Sequence, residues 1–238
     1  MLNEGKTAKY LKYAVGEIVL IMAGILLALQ VNDWNEERKL EKERLGLIDR
    51  LKEDFQTNER LLEDITSKQE PKIVEMEAFL KAAANEGERL SVAEMKTLFR
   101  NFHRSIRFVP VLGSYRTAVS TGSIALLSDP TLNELFIKYL GHHERLELVR
   151  AEYRSDVFSG KSVENRDQIG SLWQLWDRDA FQPEIFKLTE EEYRAFVSKK
   201  HVYSGFENKY FLTQIMLNEL EFLKETNLLI LTTLGSLD

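Results

Sequence analysis

The stretch from Ala14 to Val31 reads AVGEIVLIMAGILLALQV, and it decides how the rest of the chain is interpreted. At about 1.5 Å of rise per residue, a helix over this stretch is roughly 27 Å long, close to the hydrocarbon thickness of a bilayer. Its ten Leu, Ile and Val residues contribute about −3 to −6 kcal/mol of apparent insertion free energy. Glu17, its single charged residue, costs at most about 3.5 kcal/mol, and less near the edge where it lies. The stretch therefore predicts a transmembrane helix, which we place at residues 13–33.

Two other structures contain an apolar run of this kind: a cleaved signal peptide and a buried core helix. A signal peptide has a shorter apolar region and ends at a small-x-small cleavage site, which the sequence ALQVNDW does not offer. A core helix keeps a polar face, whereas 12 of the 14 residues from Ile18 to Val31 are apolar. The sequence favours the membrane helix over both alternatives.

One face of the predicted membrane helix is suited to contact with another helix. Glu17, Gly24 and Ala28 recur at helical spacing and share this face with Val31. Gly24 and Ala28 form a small-xxx-small pair, which lets a second helix approach closely. Glu17 and Gln30 are polar groups at membrane depth, where they cost free energy unless they are paired. We interpret Glu17, Gly24, Ala28 and Gln30 as candidates for a helix–helix contact; alternatively, small residues are simply common in membrane helices and Glu17 reaches the interface.

Trp34 comes just after the apolar stretch, where an aromatic side chain is typical of the membrane–water interface. Three lysines in residues 1–12 precede the span, and four basic residues between positions 38 and 44 follow it, so the positive-inside rule is nearly balanced. A short N-terminal tail, residues 1–12, before a signal-anchor favours a soluble domain outside the cytoplasm. We therefore expect the soluble domain to lie outside the cytoplasm.

The rest of the chain predicts a helical soluble domain. Only 4 Pro and 12 Gly occur in 238 residues, with 44% hydrophobic and 29% charged residues, a composition typical of long helices around a core. Apolar residues recur at three- and four-residue steps from Leu47 to Ile65, so residues 34–70 predict an amphipathic stalk helix. Residues 71–238 form the helical soluble domain, in which only Ile106–Leu112 favours extended backbone. The predicted fold class is all-α: one N-terminal transmembrane helix continuing into a stalk, then an antiparallel helical bundle.

Local chemistry predicts where the later helices begin. The segments Ser91–Glu94 and Thr189–Glu192 match the capping-box pattern. Asp129–Pro130 combines an N-cap residue with a proline at the first helical position. Long amphipathic helices are expected over residues 131–158 and about 203–234.

The sequence lacks the patterns of the common enzyme and nucleic-acid-binding classes. It has no cysteine, which excludes disulfides and thiolate catalysis, and its net charge of −6 is well mixed in sign, unlike the basic face that nucleic acids require. His143 and Glu147 have the spacing of a metal-binding pair on a helix, but a solvated surface pair explains them more simply. Aromatic residues between 173 and 186 fit packing beneath a connection better than a ligand pocket. We expect no enzymatic activity, no cofactor and no bound metal.

The sequence KYLKYAVGEIVLIMAGILLALQVNDWNEERK resembles the N-terminal signature of an uncharacterised family of single-pass membrane proteins common in Bacteroidota. The residues that match that signature are Tyr13, Gly16, Glu17, Gly24, Ile25, Ala28, Leu29, Gln30, Asn32, Trp34, Asn35 and Glu36. The sequence SYRTAVSTGSIALLSDPTLNELFIKYL is similar to a second motif of the same family. The resemblance implies membrane localisation and a helical domain, and it implies no activity. Because the family is bacterial, the resemblance also implies the inner membrane, with the soluble domain expected in the periplasm.

These observations predict a membrane-anchored helical binding or scaffold protein whose first partner is the lipid bilayer. A homo-oligomer or another membrane protein is the expected further partner, and no nucleic acid is expected. The alternative is a small subunit of a larger membrane complex, packed through the face formed by Glu17, Gly24 and Ala28. A pilin-like role is ranked lower because the sequence lacks the expected leader processing site.

Overall fold

The computed structural model describes residues 4–87, 89–103, 105–158 and 188–237. The helices in chain order are α1 (Glu4–Ala83), α2 (Val92–Phe99), a 3-10 helix (Arg100–His103), α3 (Gly113–Thr121), a second 3-10 helix (Ser123–Leu127), α4 (Pro130–Phe158), α5 (Glu190–Val197) and α6 (Lys200–Ser236). No strand occurs within these described ranges, so the prediction of an all-α fold is confirmed. The aromatic residues between 173 and 186 lie outside the described part of the chain.

The structure divides into two compact units. The first contains residues 1–51 and 114–128, and the second contains residues 52–113 and 129–237. α1 contributes residues to both units, whereas α2, α4, α5 and α6 belong to the second.

α1 is one continuous helix of 80 residues, so the predicted membrane helix continues into the stalk as expected. The helix does not end at residue 70, the expected limit of the stalk, but passes through Pro71. A proline inside a helix costs about 3 kcal/mol because it removes a backbone hydrogen bond. Burial of Met76, Phe79 and Leu80 in the turns that follow offsets this cost, at about 1.5–3 kcal/mol for each side chain.

The C-terminus of α1 ends in a Schellman motif. Asn85 adopts a left-handed conformation with φ of 58°, and the N–H of Glu86 donates to the carbonyl of Lys81 at 2.7 Å. The hydroxyl of Ser198 donates to the carbonyl of Ala83 at 2.6 Å. These bonds satisfy carbonyl groups that a helix end otherwise leaves without partners.

Both predicted capping boxes are confirmed. In Ser91–Glu94 the serine hydroxyl accepts from the glutamate N–H at 3.2 Å, and the glutamate carboxylate accepts from the serine N–H at 2.7 Å. In Thr189–Glu192 the same two bonds measure 3.2 and 2.8 Å. The Asp129 carboxylate accepts from the N–H of Leu132 at 2.8 Å and caps α4 as predicted.

In the second unit, α6 packs antiparallel along α4. The Nδ1 atom of His142 lies 2.7 Å from a carboxylate oxygen of Glu219. Further along the pair, the ammonium of Lys209 lies 5.4 Å from the centre of the Tyr153 ring. Residue numbers therefore rise along α4 as they fall along α6, which is the antiparallel arrangement predicted for the bundle.

α6 also runs antiparallel to the part of α1 that belongs to this unit. The side-chain amide of Asn227 donates to the carbonyl of Phe55 at 2.9 Å, and the rings of Phe79 and Phe206 lie 5.2 Å apart. The ring of Phe55 also contacts Tyr139 of α4 at a centroid distance of 5.3 Å. Because α6 is antiparallel to both other helices, α1 and α4 point in the same direction.

An aromatic core covers the last turns of α1 in the second unit. The ring of Phe79 lies 6.0 Å from Phe99 and 5.2 Å from Phe102. α2, the first 3-10 helix, α5 and the start of α6 supply the rest of this core. Its buried members are Met76, Phe79, Leu80, Ala82, Ala83, Val92, Met95, Phe99, Phe102, Tyr193, Phe196, Val197 and Val202.

The segment from Ile106 to Leu112, which was predicted to be extended, is neither helix nor strand in the structure. Asn58 holds it against α1: its amide nitrogen donates to the carbonyl of Val111 at 2.9 Å, and its amide oxygen accepts from the N–H of Val111 at 2.7 Å. Because Asn58 is fully buried, these bonds satisfy polar groups that water does not reach.

In the first unit, α3 and the second 3-10 helix accompany the N-terminal part of α1. The hydroxyl of Ser114, the second residue of α3, donates to the carbonyl of Arg50 at 3.3 Å. Gly122 and Ser128 bound the 3-10 helix with φ of 76° and 46°, both in the left-handed region. Glycine adopts this region without cost, whereas serine is strained there.

Candidate membrane-anchoring site

The N-terminal part of α1 presents an apolar surface that none of the described residues covers. Across the described residues, α1 is the one helix long and apolar enough to cross a bilayer, judged by length and composition. The most apolar part of this helix has a mean hydropathy of 2.0, and none of it is buried. We call residues 15–31, all of which are exposed, the apolar window of α1. Leu20 is 76% exposed and Leu27 is 62% exposed, values that the core leucines of the second unit never approach.

Helical geometry brings together three of the four residues predicted to contact another helix. At about 100° of rotation per residue, Gly24 and Ala28 each lie about 20° from Glu17 around the helix axis, on opposite sides of it. Gln30 lies about 140° from Glu17 on the same basis. The candidate face therefore consists of Glu17, Gly24 and Ala28, and Gln30 lies on a different side of α1.

Gly24 is open to close approach by another helix. A Cβ added there would meet no atom within 4 Å, and the same holds at Gly16. The space beside Gly24 is thus not taken by any side chain that the structure describes.

Trp34 follows the apolar window at the position expected of an interfacial anchor and is 63% exposed. One helical turn later, the guanidinium carbon of Arg38 lies 5.9 Å from the centre of the Trp34 ring. This is the distance of a cation–π contact. Trp34 was predicted from the sequence and Arg38 was not, although their spacing of four residues on a helix is a signal for such a contact.

The candidate metal pair does not form a larger cluster. Glu147 accepts from Arg150 at 2.6 Å, and the ring of His143 lies 6.2 Å from Phe108. Within the described ranges, no three or more His, Asp and Glu side chains are grouped as metal ligands would be.

A buried ionic contact between α4 and α6 was not predicted. Glu219 has a side chain only 5% exposed, and its carboxylate contacts His142 at 2.7 Å and Arg145 at 3.5 Å. The His142 ring also stacks on Phe222 at 4.9 Å. The partners of Glu219 come from a helix 74 to 77 positions away, so no local sequence pattern indicates the pairing.

A second polar contact lies at the other end of α4 and α6. The ammonium of Lys209, which is 8% exposed, donates to the carbonyl of Phe102 at 3.3 Å. Burial, together with the nearby charge of Lys209, lowers the pKa of His103 to about 4. His103 is therefore neutral at pH 7, a result that the sequence did not predict.

A surface cavity of about 530 Å³ lies beside the C-terminus of α1 and the N-terminus of α5. Arg89, Arg194, Glu190 and Glu191 line it, so its charges balance. Arg194 is already engaged, since its guanidinium donates to the carbonyl of Leu90 at 2.6 Å. The cavity does not present the converging polar groups of a ligand site.

Comparison with known protein families gives a match over more than half of the chain. The model of DUF6090, a family of unknown function, matches residues 17–174 of the chain. The chain belongs to DUF6090. The DUF6090 match begins at Glu17 and includes the apolar residues from Ile18 to Val31, the stalk and all of α4, while α5 and α6 lie beyond it. No curated protein and no solved structure matches the chain.

Membership of DUF6090 confirms that the chain belongs to an uncharacterised family, as its resemblance implied. The Bacteroidota origin and the single-pass topology remain predictions.

Proposed function

We propose that this protein is a single-pass membrane-anchored binding or scaffold protein, with residues 13–33 in the bilayer and the helical domain outside it. The observation that carries the proposal is that no residue in the apolar window of α1 is buried. Each exposed Leu, Ile or Val in this window contributes about 0.3–0.6 kcal/mol to insertion at the centre of a bilayer. The apolar surface of α1 is thus suited to contact with the lipid acyl chains of a bilayer.

The role we propose for the helical domain is binding rather than catalysis. The sequence contains no nucleophile motif, no phosphate-binding loop and no set of metal ligands. The domain has a well-packed aromatic core and a helical surface, which suit a partner-binding module. Membership of a family of unknown function is compatible with this role and names no partner.

Membrane extraction tests the anchor. We expect the full chain to stay with the membrane pellet at alkaline pH and high salt, and to dissolve only in detergent. The same chain lacking residues 1–33 is expected in the soluble fraction with its helical content retained. Release of the full chain by alkali or salt alone would refute the membrane-spanning proposal.

A second candidate function is that of a small subunit in a larger membrane complex. Glu17, Gly24 and Ala28 lie within about 40° of one another around α1, and the space beside Gly24 is open. A carboxyl group at membrane depth on such a face is stabilised by a polar partner from a neighbouring helix. The partner is either a second copy of this chain or another membrane protein.

Substitution of Glu17 tests this second candidate. In detergent, Glu17→Gln is expected to lose a co-purifying membrane protein or the self-association detected with two differently tagged copies. Gln30→Leu, on another side of the helix, serves as the control and is expected to keep both. Unchanged assembly of the Glu17→Gln variant supports a simple anchor instead.

The proposed location is the bacterial inner membrane, with the helical domain in the periplasm. A tag after Asp238 should be digested by protease in cells whose outer membrane alone is permeable. Protection of the tag until the inner membrane is breached would place the domain in the cytoplasm.

A further inference from the structure

We infer that Trp34 and Arg38 form a binding site for the phosphate of a phospholipid headgroup. The inference rests on the proposed membrane anchor and adds a lipid-contacting residue to it. The guanidinium carbon of Arg38 lies 5.9 Å from the centre of the Trp34 ring, and both residues are exposed. The indole holds the guanidinium in place, and the edge of the guanidinium stays available for hydrogen bonds.

The position of the pair along α1 matches the depth of the headgroup layer. Trp34 is three residues beyond Val31, which corresponds to about 5 Å of helix rise. Side chains on a helix lean towards its N-terminus, and on α1 this is the direction of the apolar window. Contact with the Trp34 ring shows that Arg38 follows this rule. Its guanidinium therefore lies at about the level of Trp34, within the polar layer of roughly 5–8 Å on each side of the hydrocarbon.

The charges next to the span are separated around the helix. We measure angles around the helix axis from Trp34, at about 100° per residue. On this basis three basic residues lie on one side of Trp34: Arg38 at about 40°, Lys42 at about 80° and Lys39 at about 140°. Glu41 and Glu37 lie on the other side of Trp34, at about −20° and −60°. The side of α1 that carries Arg38 is therefore basic and complements an anionic headgroup.

Arg38 differs from the nearby Arg44 in its partner. Arg44 is held by Glu41 through two hydrogen bonds of 2.7 Å. In the described part of the chain, Arg38 makes no such pair with a carboxylate, and its recorded contact is the Trp34 ring. A guanidinium that lies over an aromatic ring keeps N–H groups for a phosphate, which they bind in bidentate geometry.

The test measures the depth of Trp34 in vesicles. Trp173→Phe and Trp176→Phe leave Trp34 as the single tryptophan of the full chain. This protein is reconstituted in phosphatidylglycerol–phosphatidylcholine vesicles whose acyl chains are brominated either near the headgroup or near the methyl end. The ratio of the two quenching efficiencies reports the depth of the ring. Arg38→Gln removes the contact that ties Trp34 to the headgroup layer and is expected to change this ratio by about twofold or more.

Two controls separate phosphate binding from other effects. Lys42 is on the same side of α1 as Arg38 but about 6 Å further from the span. The substitution Lys42→Gln is therefore expected to leave the quenching ratio unchanged. Vesicles of an uncharged galactolipid, which has no phosphate, are expected to abolish the difference between Arg38→Gln and the unsubstituted chain. Arg38→Lys keeps the charge but lacks the planar fork, and we expect it to restore less than half of the difference.

The outcomes distinguish the inference from the proposed anchor. If the chain floats with vesicles but Arg38→Gln leaves the quenching ratio unchanged, the headgroup site is refuted and the anchor stands. An equal change in phospholipid and galactolipid vesicles also refutes the site, because the effect then does not involve phosphate. If the chain does not float with vesicles, the anchor fails and the headgroup site fails with it.

Discussion

Two long helices of this protein are rich in leucine, and they differ in how far their leucine side chains are exposed. In α1, residues 15–31 are exposed throughout, with Leu20 at 76% and Leu27 at 62%. In α6, Leu220 and Leu223 are fully buried, while the neighbouring Leu228 remains 56% exposed. The apolar content of a helix therefore does not tell whether protein or lipid covers it.

The difference lies in how polar residues are distributed around each helix. Polar residues of α6, among them Gln214, Glu221 and Glu225, lie on an exposed side, and its apolar stripe faces α4 and α1. The apolar window of α1 has no such polar side, since Glu17 and Gln30 are its only strongly polar residues. A helix that is apolar all round has no direction in which to face a core, whereas one with a stripe does.

The largest expected effect breaks the apolar window. Leu20→Arg with Leu27→Arg costs about 6–8 kcal/mol of insertion free energy, since each arginine is unfavourable and each leucine favourable near the bilayer centre. The doubly substituted chain is expected to leave the membrane pellet in alkaline extraction. Leu228→Arg with Leu229→Arg is the matched control, because both of those leucines are exposed on α6. Equal behaviour of the two variants would mean that the window of α1 does not contact lipid.

A smaller effect is expected in the buried stripe of α6. Leu220→Ala removes a fully buried side chain and is expected to lower the free energy of unfolding by about 2–5 kcal/mol. Leu229→Ala, at 49% exposure, should change it by less than about 1 kcal/mol. Urea denaturation of the chain in detergent, followed by circular dichroism, measures both. Similar losses at the two positions would contradict the packing of α6 described above.

The burial of His103 beside Lys209 of α6 predicts that the stability of the fold depends on pH. The pKa of His103, near Lys209, is about 4 in the folded chain against 6.5 without the fold. Between these values the unfolded chain binds a proton that the folded chain does not. The free energy of unfolding therefore falls as the pH drops from 6.5 to 4, by about 3 kcal/mol in total.

Denaturation at pH 7, 5.5 and 4.5 tests this dependence against variants. His103→Gln should remove this part of the pH dependence, whereas His201→Gln, at an exposed position, should keep it. A slope that persists in His103→Gln would show that other groups cause it.

The smallest expected changes in stability come from substitution of two buried asparagines, Asn58 and Asn227. Asn58→Ala removes two hydrogen bonds to Val111 and leaves both backbone groups of that residue without partners, so we expect a loss of about 2–3 kcal/mol. Asn227→Ala removes one bond to Phe55, and the Asn227 amide oxygen has no partner in the described structure, so a loss of about 1 kcal/mol is expected. Thermal unfolding of the two variants ranks them. The reverse order would show that the amide contact of Asn58 is not a main support of the extended segment.

Much of the fold follows from local sequence, as three kinds of element show. The capping boxes at Ser91 and Thr189 and the N-cap at Asp129 form as predicted, because each depends on residues within three positions. The end of α1 was placed wrongly, since Pro71 does not stop the helix. That outcome depends on the burial of Phe79 against Phe99 and Phe102, which lie far along the chain.

In the candidate site too, some features follow from spacing along the sequence and others depend on the structure. Trp34 and the face containing Glu17, Gly24 and Ala28 were predicted from spacing alone, because a straight helix fixes relative angles. Gln30 was grouped with them from its polarity, and helical geometry places it on another side. The contact of Arg38 with Trp34 depends on a side-chain conformation, which spacing allows but does not specify.

The sequence by itself determined the apolar window, the helical class and the positions where the later helices begin, since these depend on composition and on neighbours within a few residues. Only the tertiary structure decided that α6 runs antiparallel to both α1 and α4, that Glu219 pairs with His142, and that Asn58 holds Val111. These contacts join residues 53 to 172 positions apart. Their free energy depends on simultaneous burial and pairing, which no local pattern of residues encodes.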